Sequence, residues 1–141
     1  GWLPPADFAR AAVAPADRIL RSLQRGTPTI YFALAPANGQ LEAMRGMRAD
    51  VIGLDYRVPL GKARALLGNS RGVQGNLDPA VLMGTPEEIV RRTEAVLREN
   101  GGRPGHIFNL GHGIYPGTPL ENVQLLISTV KRFRAQSGGT P

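Results

Sequence analysis

The 141-residue sequence predicts an α/β fold in which a parallel sheet is covered by helices. Two observations carry that expectation. Four short stretches rich in apolar, β-branched and aromatic residues recur along the chain, and a helical pattern follows each of them. Strands separated by helices in this way read as parallel neighbours joined by crossovers. Periodicity leaves open whether the sheet is open or part of a barrel. A third feature bears on that choice, since the strands run into Asp55, Asn76 and Asn109, polar residues that would line one rim of a barrel. As turn formers, the same residue types also suit any strand-to-loop junction.

The first element is a helix from Pro5 to Leu23, with apolar residues at Phe8, Ala12, Ile19, Leu20 and Leu23, expected to kink or restart at Pro15. Gly26 and Pro28 end it, and Thr29 to Leu34 is the first strand. After the loop Ala35 to Gly39, Leu41, Met44 and Met47 mark a short helix whose methionines read as core filler. Val51 to Leu54 is the second strand, Leu60 to Leu67 a helix closed by Gly68, and Gly72 to Gly75 the third strand. Thr85-Pro86-Glu87-Glu88 carries a capping signature, with a hydroxyl to accept from the first turn and proline at the first helical position. The helix it opens runs to Glu99, buries Ile89, Val90, Thr93, Val96 and Leu97, and stops at Asn100-Gly101. His106 to Leu110 is the fourth strand, expected to be buried, and Thr118 is expected to cap a last helix that buries Val123, Leu126, Ile127, Val130 and Phe133. The polar, glycine-rich end, Ala135 to Pro141, reads as a frayed tail.

The stretch His106 to Gly117 holds the best candidate for function. It places His112 between Gly111 and Gly113, directly after a strand and before a helix. Glycines there let the backbone turn sharply and let a ligand come close. In parallel α/β folds such a loop lies at the carboxyl end of the sheet, where ligands bind. The alternative is a histidine that only hydrogen-bonds within a tight loop.

Composition narrows the function classes. With 42% apolar residues the chain is globular in type, and no apolar run approaches the ~20 residues that span a bilayer. The start, GWLPPADFAR, lacks the charged and apolar regions of a leader, so a soluble cytoplasmic protein is expected. Cysteine is absent, which excludes disulfides, thiolate catalysis and cysteine-ligated metals. The net charge of +6 would suit a polyanionic small substrate. Nucleic acid is not expected as a partner, because the basic residues are spread along the chain, mostly on helices and in four cases four positions after an acid (Asp17/Arg21, Glu87/Arg91, Glu88/Arg92 and Glu94/Arg98), with no contiguous basic stripe interleaved with aromatics.

Several chemistries fail on spacing. Gly111-x-Gly113 lacks the third glycine of a dinucleotide fingerprint, and Gly61-Lys62 lacks the upstream glycine and following hydroxyl of a phosphate loop. His106 and His112 stand up to ~20 Å apart on an extended chain, too far to share a zinc ion. No serine sits in a nucleophile elbow. His112 therefore remains as a hydrogen-bond donor or proton carrier, with glycine amides around it suited to anionic oxygens.

Two longer motifs carry a family resemblance. Val73-Gln74-Gly75-Asn76-Leu77-Asp78-Pro79 and His106-Ile107-Phe108-Asn109-Leu110-Gly111-His112-Gly113-Ile114 resemble the carboxyl-terminal part of the uroporphyrinogen decarboxylase family. Gly1-Trp2-Leu3-Pro4-Pro5 is similar to that family's AG-x-L-S-P turn, and Gly53-Leu54-Asp55-Tyr56 to its G-L-D-W. The resemblance implies the C-terminal half of a (β/α)8 TIM barrel, with residues 1–134 a part of one barrel domain and 135–141 a flexible tail. It implies a carboxy-lyase of porphyrin and haem biosynthesis that converts the four acetates of uroporphyrinogen III to methyls, giving coproporphyrinogen III. It also implies no metal or organic cofactor, a tetrapyrrole as the small-molecule partner, no membrane, and a homodimer at full length.

On this reading His112 binds substrate and takes part in catalysis, Gly111 and Gly113 bind substrate, and Asp55, Asn76 and Asn109 stand at the pocket rim. The family's arginine-rich motif and pyrrole-binding aspartate have no counterpart here, and its active-site serine and tyrosine belong upstream of Gly1. A fragment that is inactive alone is therefore expected. Two alternatives stay open: a corrinoid-linked methyltransferase of the same superfamily, which would be expected to use zinc with His and Cys ligands, and a non-catalytic half-barrel that serves as a binding module.

Overall fold

The computed structural model describes residues 3–24, 26–34, 38–68 and 70–133. The expected tail and the loop at 35–37 lie outside them. The chain opens with a helical run made of α1 (Pro5–Phe8), a π-helical turn (Ala9–Val13) and α2 (Ala14–Ser22). The break expected at Pro15 is absorbed by that wide turn. A proline in a helix lacks one donor and crowds the carbonyl four residues back, and a local π turn relieves both.

Strand β1 (Ile30–Phe32) is followed by α3 (Asn38–Met44), β2 (Val51–Gly53), α4 (Leu60–Leu67) and β3 (Gly72–Leu77). A 3-10 turn (Pro79–Met83), α5 (Pro86–Asn100), β4 (His106–Leu110) and α6 (Leu120–Arg132) complete the order. Among the described residues the strands form one sheet in the order β1-β2-β3-β4. Every pairing is parallel, with Tyr31 beside Ile52, Ile52 beside Val73 and Val73 beside His106. Sequence neighbours are therefore sheet neighbours, and no strand reverses the winding as it would in a doubly wound sheet.

The two faces of the sheet differ. One meets the helices and buries Ile52, Leu54 and Val73 against Leu41, Met44 and Leu60, each at most 1% exposed. A second cluster gathers Leu77, Leu82, Ile89 and Leu126 beneath Phe108 and Leu110. Full burial of one such side chain is worth about 1.5–3 kcal/mol. On the other face Ile30 and Phe32 of β1 and Ile107 of β4 are 45–49% exposed. Strand β4, expected to be buried, is thus covered on one face only, and its exposure alternates residue by residue.

Other differences have local causes. β1 and β2 are shorter than expected, while β3 extends to Leu77 because its pairing with β4 continues through Asn76 and Leu77. The 3-10 turn is started by Asp78, whose Oδ1 accepts from Ala80 N at 2.9 Å. Thr85 caps α5 as expected, accepting from Glu88 N at 3.3 Å, and Gly101 ends it in the left-handed region at φ 63°. Thr118 does not cap α6. That helix starts at Leu120 after Pro119, which leaves Thr118 one position early, and its hydroxyl donates to Tyr115 O at 2.7 Å. Ile127, expected on the buried stripe of α6, is 47% exposed, and the buried residues there are Asn122, Leu126 and Thr129. On α5, Glu88 pairs with Arg91 one turn on, at 2.6 Å, where Arg92 was expected.

Candidate functional site

The carboxyl ends of β2 and β4 bring two loops together. Leaving β2, Leu54 N donates to Gln74 O at 2.8 Å, and the chain then turns through Asp55 to Val58. Val58 N donates to Asp55 O at 3.2 Å, and the Asn76 amide donates from β3 to both Asp55 O and Val58 O. Asn76 is 6% exposed, so this expected rim residue lies under the turn and holds it.

Asp55 is fully buried. A carboxylate out of water needs partners. Arg57 supplies three donors: its backbone N at 2.9 Å and Nε at 2.8 Å to Oδ1, and Nη2 at 2.6 Å to Oδ2. The hydrogen bonds to Asp55 raise the arginine's pKa further above its ordinary value. The same guanidinium lies over the Tyr56 ring, 5.1 Å from its centre. Arg57 side chain remains 51% exposed. Its signal in the sequence is a base two positions after a strand-terminal acid.

At the end of β4 the ladder continues one step, with Gly111 N donating to Leu77 O at 2.8 Å. Gly111 is buried against the neighbouring loop: a Cβ there would stand 2.2 Å from Tyr56 N and 2.6 Å from Tyr56 Cα. Its lack of a side chain thus serves a close approach between two stretches of the chain. Gly113 differs, being exposed, with nothing within 4 Å of a Cβ. Between them His112 is exposed, and so are Ile114 at 52% and Tyr115 at 41%. Asn109 is exposed and its Oδ1 accepts from Leu110 N at 2.8 Å.

His106 has a different setting. It sits in the row of Ile52 and Val73, half-buried, with Nε2 2.8 Å from Gly75 O, so that this nitrogen carries the proton. Burial lowers its pKa, and the nearby Arg64 guanidinium acts in the same direction. The ring ties β4 to β3.

The carboxyl end therefore presents an imidazole, an oriented guanidinium and two tyrosines on adjoining loops. Such a surface can hydrogen-bond and hold an anionic, ring-bearing molecule. Among the described residues no group of three or more His, Asp or Glu is placed to hold a metal ion.

Comparison with known proteins places this geometry. A family model described as uroporphyrinogen decarboxylase (URO-D) matches residues 1–133. A uroporphyrinogen decarboxylase of Thermus thermophilus is 47% identical over 136 residues, which cover 96% of this chain and 39% of the relative. That of Syntrophotalea carbinolica is 48% identical over 135 residues, and that of Koribacter versatilis 43% identical over 141. The chain thus spans about two fifths of the length of these relatives. A solved structure, a methyltransferase from Methanosarcina mazei, superposes with a TM-score of 0.78 at 20% identity, covering 92% of this chain and 37% of that one. That likeness concerns the fold, in which parallel strands joined by helices build part of a (β/α)8 barrel. With the family match running from residue 1 to residue 133 of the 141, this protein belongs to the uroporphyrinogen decarboxylase family.

Proposed function

We propose that the complete protein containing this chain is a cytoplasmic, homodimeric carboxy-lyase that converts uroporphyrinogen III to coproporphyrinogen III. The observation that carries this reading is the identity of 42–48% to curated decarboxylases, spread over nearly all of the chain. In support, the HIFNLGHG stretch ends at the carboxyl rim of the sheet, where barrel enzymes bind their substrates. This chain contributes the carboxyl-terminal half of the barrel wall.

The chemistry follows from the substrate. Protonation of a pyrrole carbon makes the ring an electron sink, so that the acetate can lose carbon dioxide and leave its electron pair in the ring. A second protonation, on the exocyclic carbon, then gives the methyl, and loss of the first proton from the ring carbon restores the neutral pyrrole. A carboxylate beside the cationic ring stabilises it, and arginines hold the remaining carboxylates. The arginine motif and the pyrrole-facing aspartate have no counterpart in this sequence, so those charges come from elsewhere in the complete protein. His112 touches the substrate from the β4 loop, donates a hydrogen bond and helps move protons. Gly111 and Gly113 offer backbone amides, and Asn109 lies at the rim. Asp55 and Asn76 act from below by shaping the β2 loop. No cofactor is required.

The test is carbon dioxide release and product analysis by the complete enzyme and its His112→Asn variant. A lost hydrogen bond to a charged group costs about 1.5–3 kcal/mol, so turnover should fall about ten- to a hundredfold while partly decarboxylated intermediates accumulate. Unchanged rate and product distribution in the variant would remove His112 from the site. Absence of any product from the wild type would overturn the function.

A further inference from the structure

A buried carboxylate commonly neutralises an arginine, but the pairing of Asp55 with Arg57 also fixes where the rest of the guanidinium points. Asp55 takes Nε–H at 2.8 Å and one Nη2–H at 2.6 Å, the inner edge of the five-donor fork. Arg57 N bonds the same carboxylate at 2.9 Å, so the residue is held at both its backbone and its head. The remaining N–H groups belong to the outer edge of a side chain that is 51% exposed. The guanidinium carbon itself lies over the Tyr56 ring, 5.1 Å from its centre. The packing of Tyr56 on Gly111 fixes the two loops against each other.

We propose that Arg57 is a substrate anchor that binds a carboxylate the reaction leaves in place, a propionate of the tetrapyrrole. This rests on the decarboxylase reading above. An oriented guanidinium binds a carboxylate through two parallel, charge-assisted hydrogen bonds and loses little freedom in doing so. Such a grip is unsuited to the acetates. A cation that stabilises a departing carboxylate must give up that interaction as carbon dioxide forms, which raises the barrier. A propionate keeps its charge throughout, so the bond is equally strong in substrate, transition state and product.

Uniform binding has a distinct kinetic signature, a higher KM with unchanged kcat when it is lost. The experiment compares the complete wild-type enzyme with Arg57→Lys and Arg57→Gln. It measures kcat and KM for uroporphyrinogen III, inhibition by coproporphyrinogen III, and the thermal unfolding midpoint. Lysine keeps the charge that balances Asp55 but has no fork. The expected result for Arg57→Gln is a rise of about ten- to a hundredfold in KM, with an equal weakening of coproporphyrinogen inhibition. Arg57→Lys should show a smaller rise in both, with kcat and unfolding midpoint near wild type. An unchanged KM would overturn the inference, as would a fall in kcat at constant KM, which marks a structural ion pair only. A raised KM with coproporphyrinogen inhibition intact would also overturn it, by placing an acetate on Arg57. A wild type without turnover would instead overturn the decarboxylase reading, and direct titration with coproporphyrinogen would still decide the role of Arg57.

Discussion

Replacing Gly111 by alanine tests the contact that joins the two loops at the carboxyl rim of the sheet. The added Cβ would stand 2.2 Å from Tyr56 N, 2.6 Å from its Cα and 2.7 Å from its Cβ. Carbon atoms do not approach below 3.0 Å, so the loops must part by about 0.8 Å, and backbone cannot rotate away as a side chain can. Movement is resisted on both sides, by the bond from Gly111 N to Leu77 O at 2.8 Å and by the Asn76 amide beneath the Tyr56 turn. Forced overpacking of this kind costs about 1–3 kcal/mol and sometimes more. Because His112 is the next residue, displacement of its loop by near 1 Å should also lower kcat/KM by about a hundredfold. Gly113→Ala is the control. Nothing lies within 4 Å of its Cβ, and its effect should stay within about 0.5 kcal/mol. Urea unfolding of the complete enzyme, with steady-state kinetics on the same samples, gives both quantities. A Gly111→Ala enzyme as stable and active as wild type would refute the packing argument, and equal damage from both substitutions would show that glycine is needed for loop freedom instead.

Burial and Arg64 hold the pKa of His106 below its ordinary 6.5. The unfolded chain then binds more protons, so the contribution of His106 to stability is present above about pH 6.5 and is lost as pH falls toward the folded value. Comparing unfolding midpoints of wild type and His106→Gln between pH 7.5 and 5.5 checks this, and an equal pH slope in both would contradict it. Residues 1–141 expressed alone should associate and release no carbon dioxide, since Ile30, Phe32 and Ile107 stand 45–49% exposed on the sheet face away from the helices. A monomeric, active product would refute that expectation.

Much of the fold was legible because its signals are local. Strand β4 and helix α4 lie where the residue pattern put them, and the Thr85 cap and Gly101 stop frame α5 as expected. Thr118 failed as a cap because the choice between adjacent start positions depends on where Asn122 docks, its amide reaching Leu82 O at 2.8 Å. Of the candidate site, the strand-to-helix loop around His112 was legible and its packing was not. A glycine that admits a ligand and one that admits another stretch of chain look alike in sequence, and Gly111 meets Tyr56, which is remote along the chain. Likewise Asp55 and Asn76 carry the residue types of a rim, and only the turn they share shows that they lie beneath it. The spacing of Arg57 two positions after a strand-terminal acid is legible in the sequence, and the grip of its guanidinium on a buried carboxylate is not.

The sequential strand order has an engineering consequence. Each strand and the helix after it form a module whose sheet neighbours are the modules just before and just after it. The links that return from helix to strand, such as the stretch between Asn100 and His106, lie at the opposite end of the sheet from His112 and Arg57. A chimera that takes one module from a relative and is spliced in those return links meets new packing at its neighbouring modules and, in a complete barrel, across the interior. Its carboxyl-rim loops are inherited whole, so they could be exchanged one at a time without redrawing the scaffold.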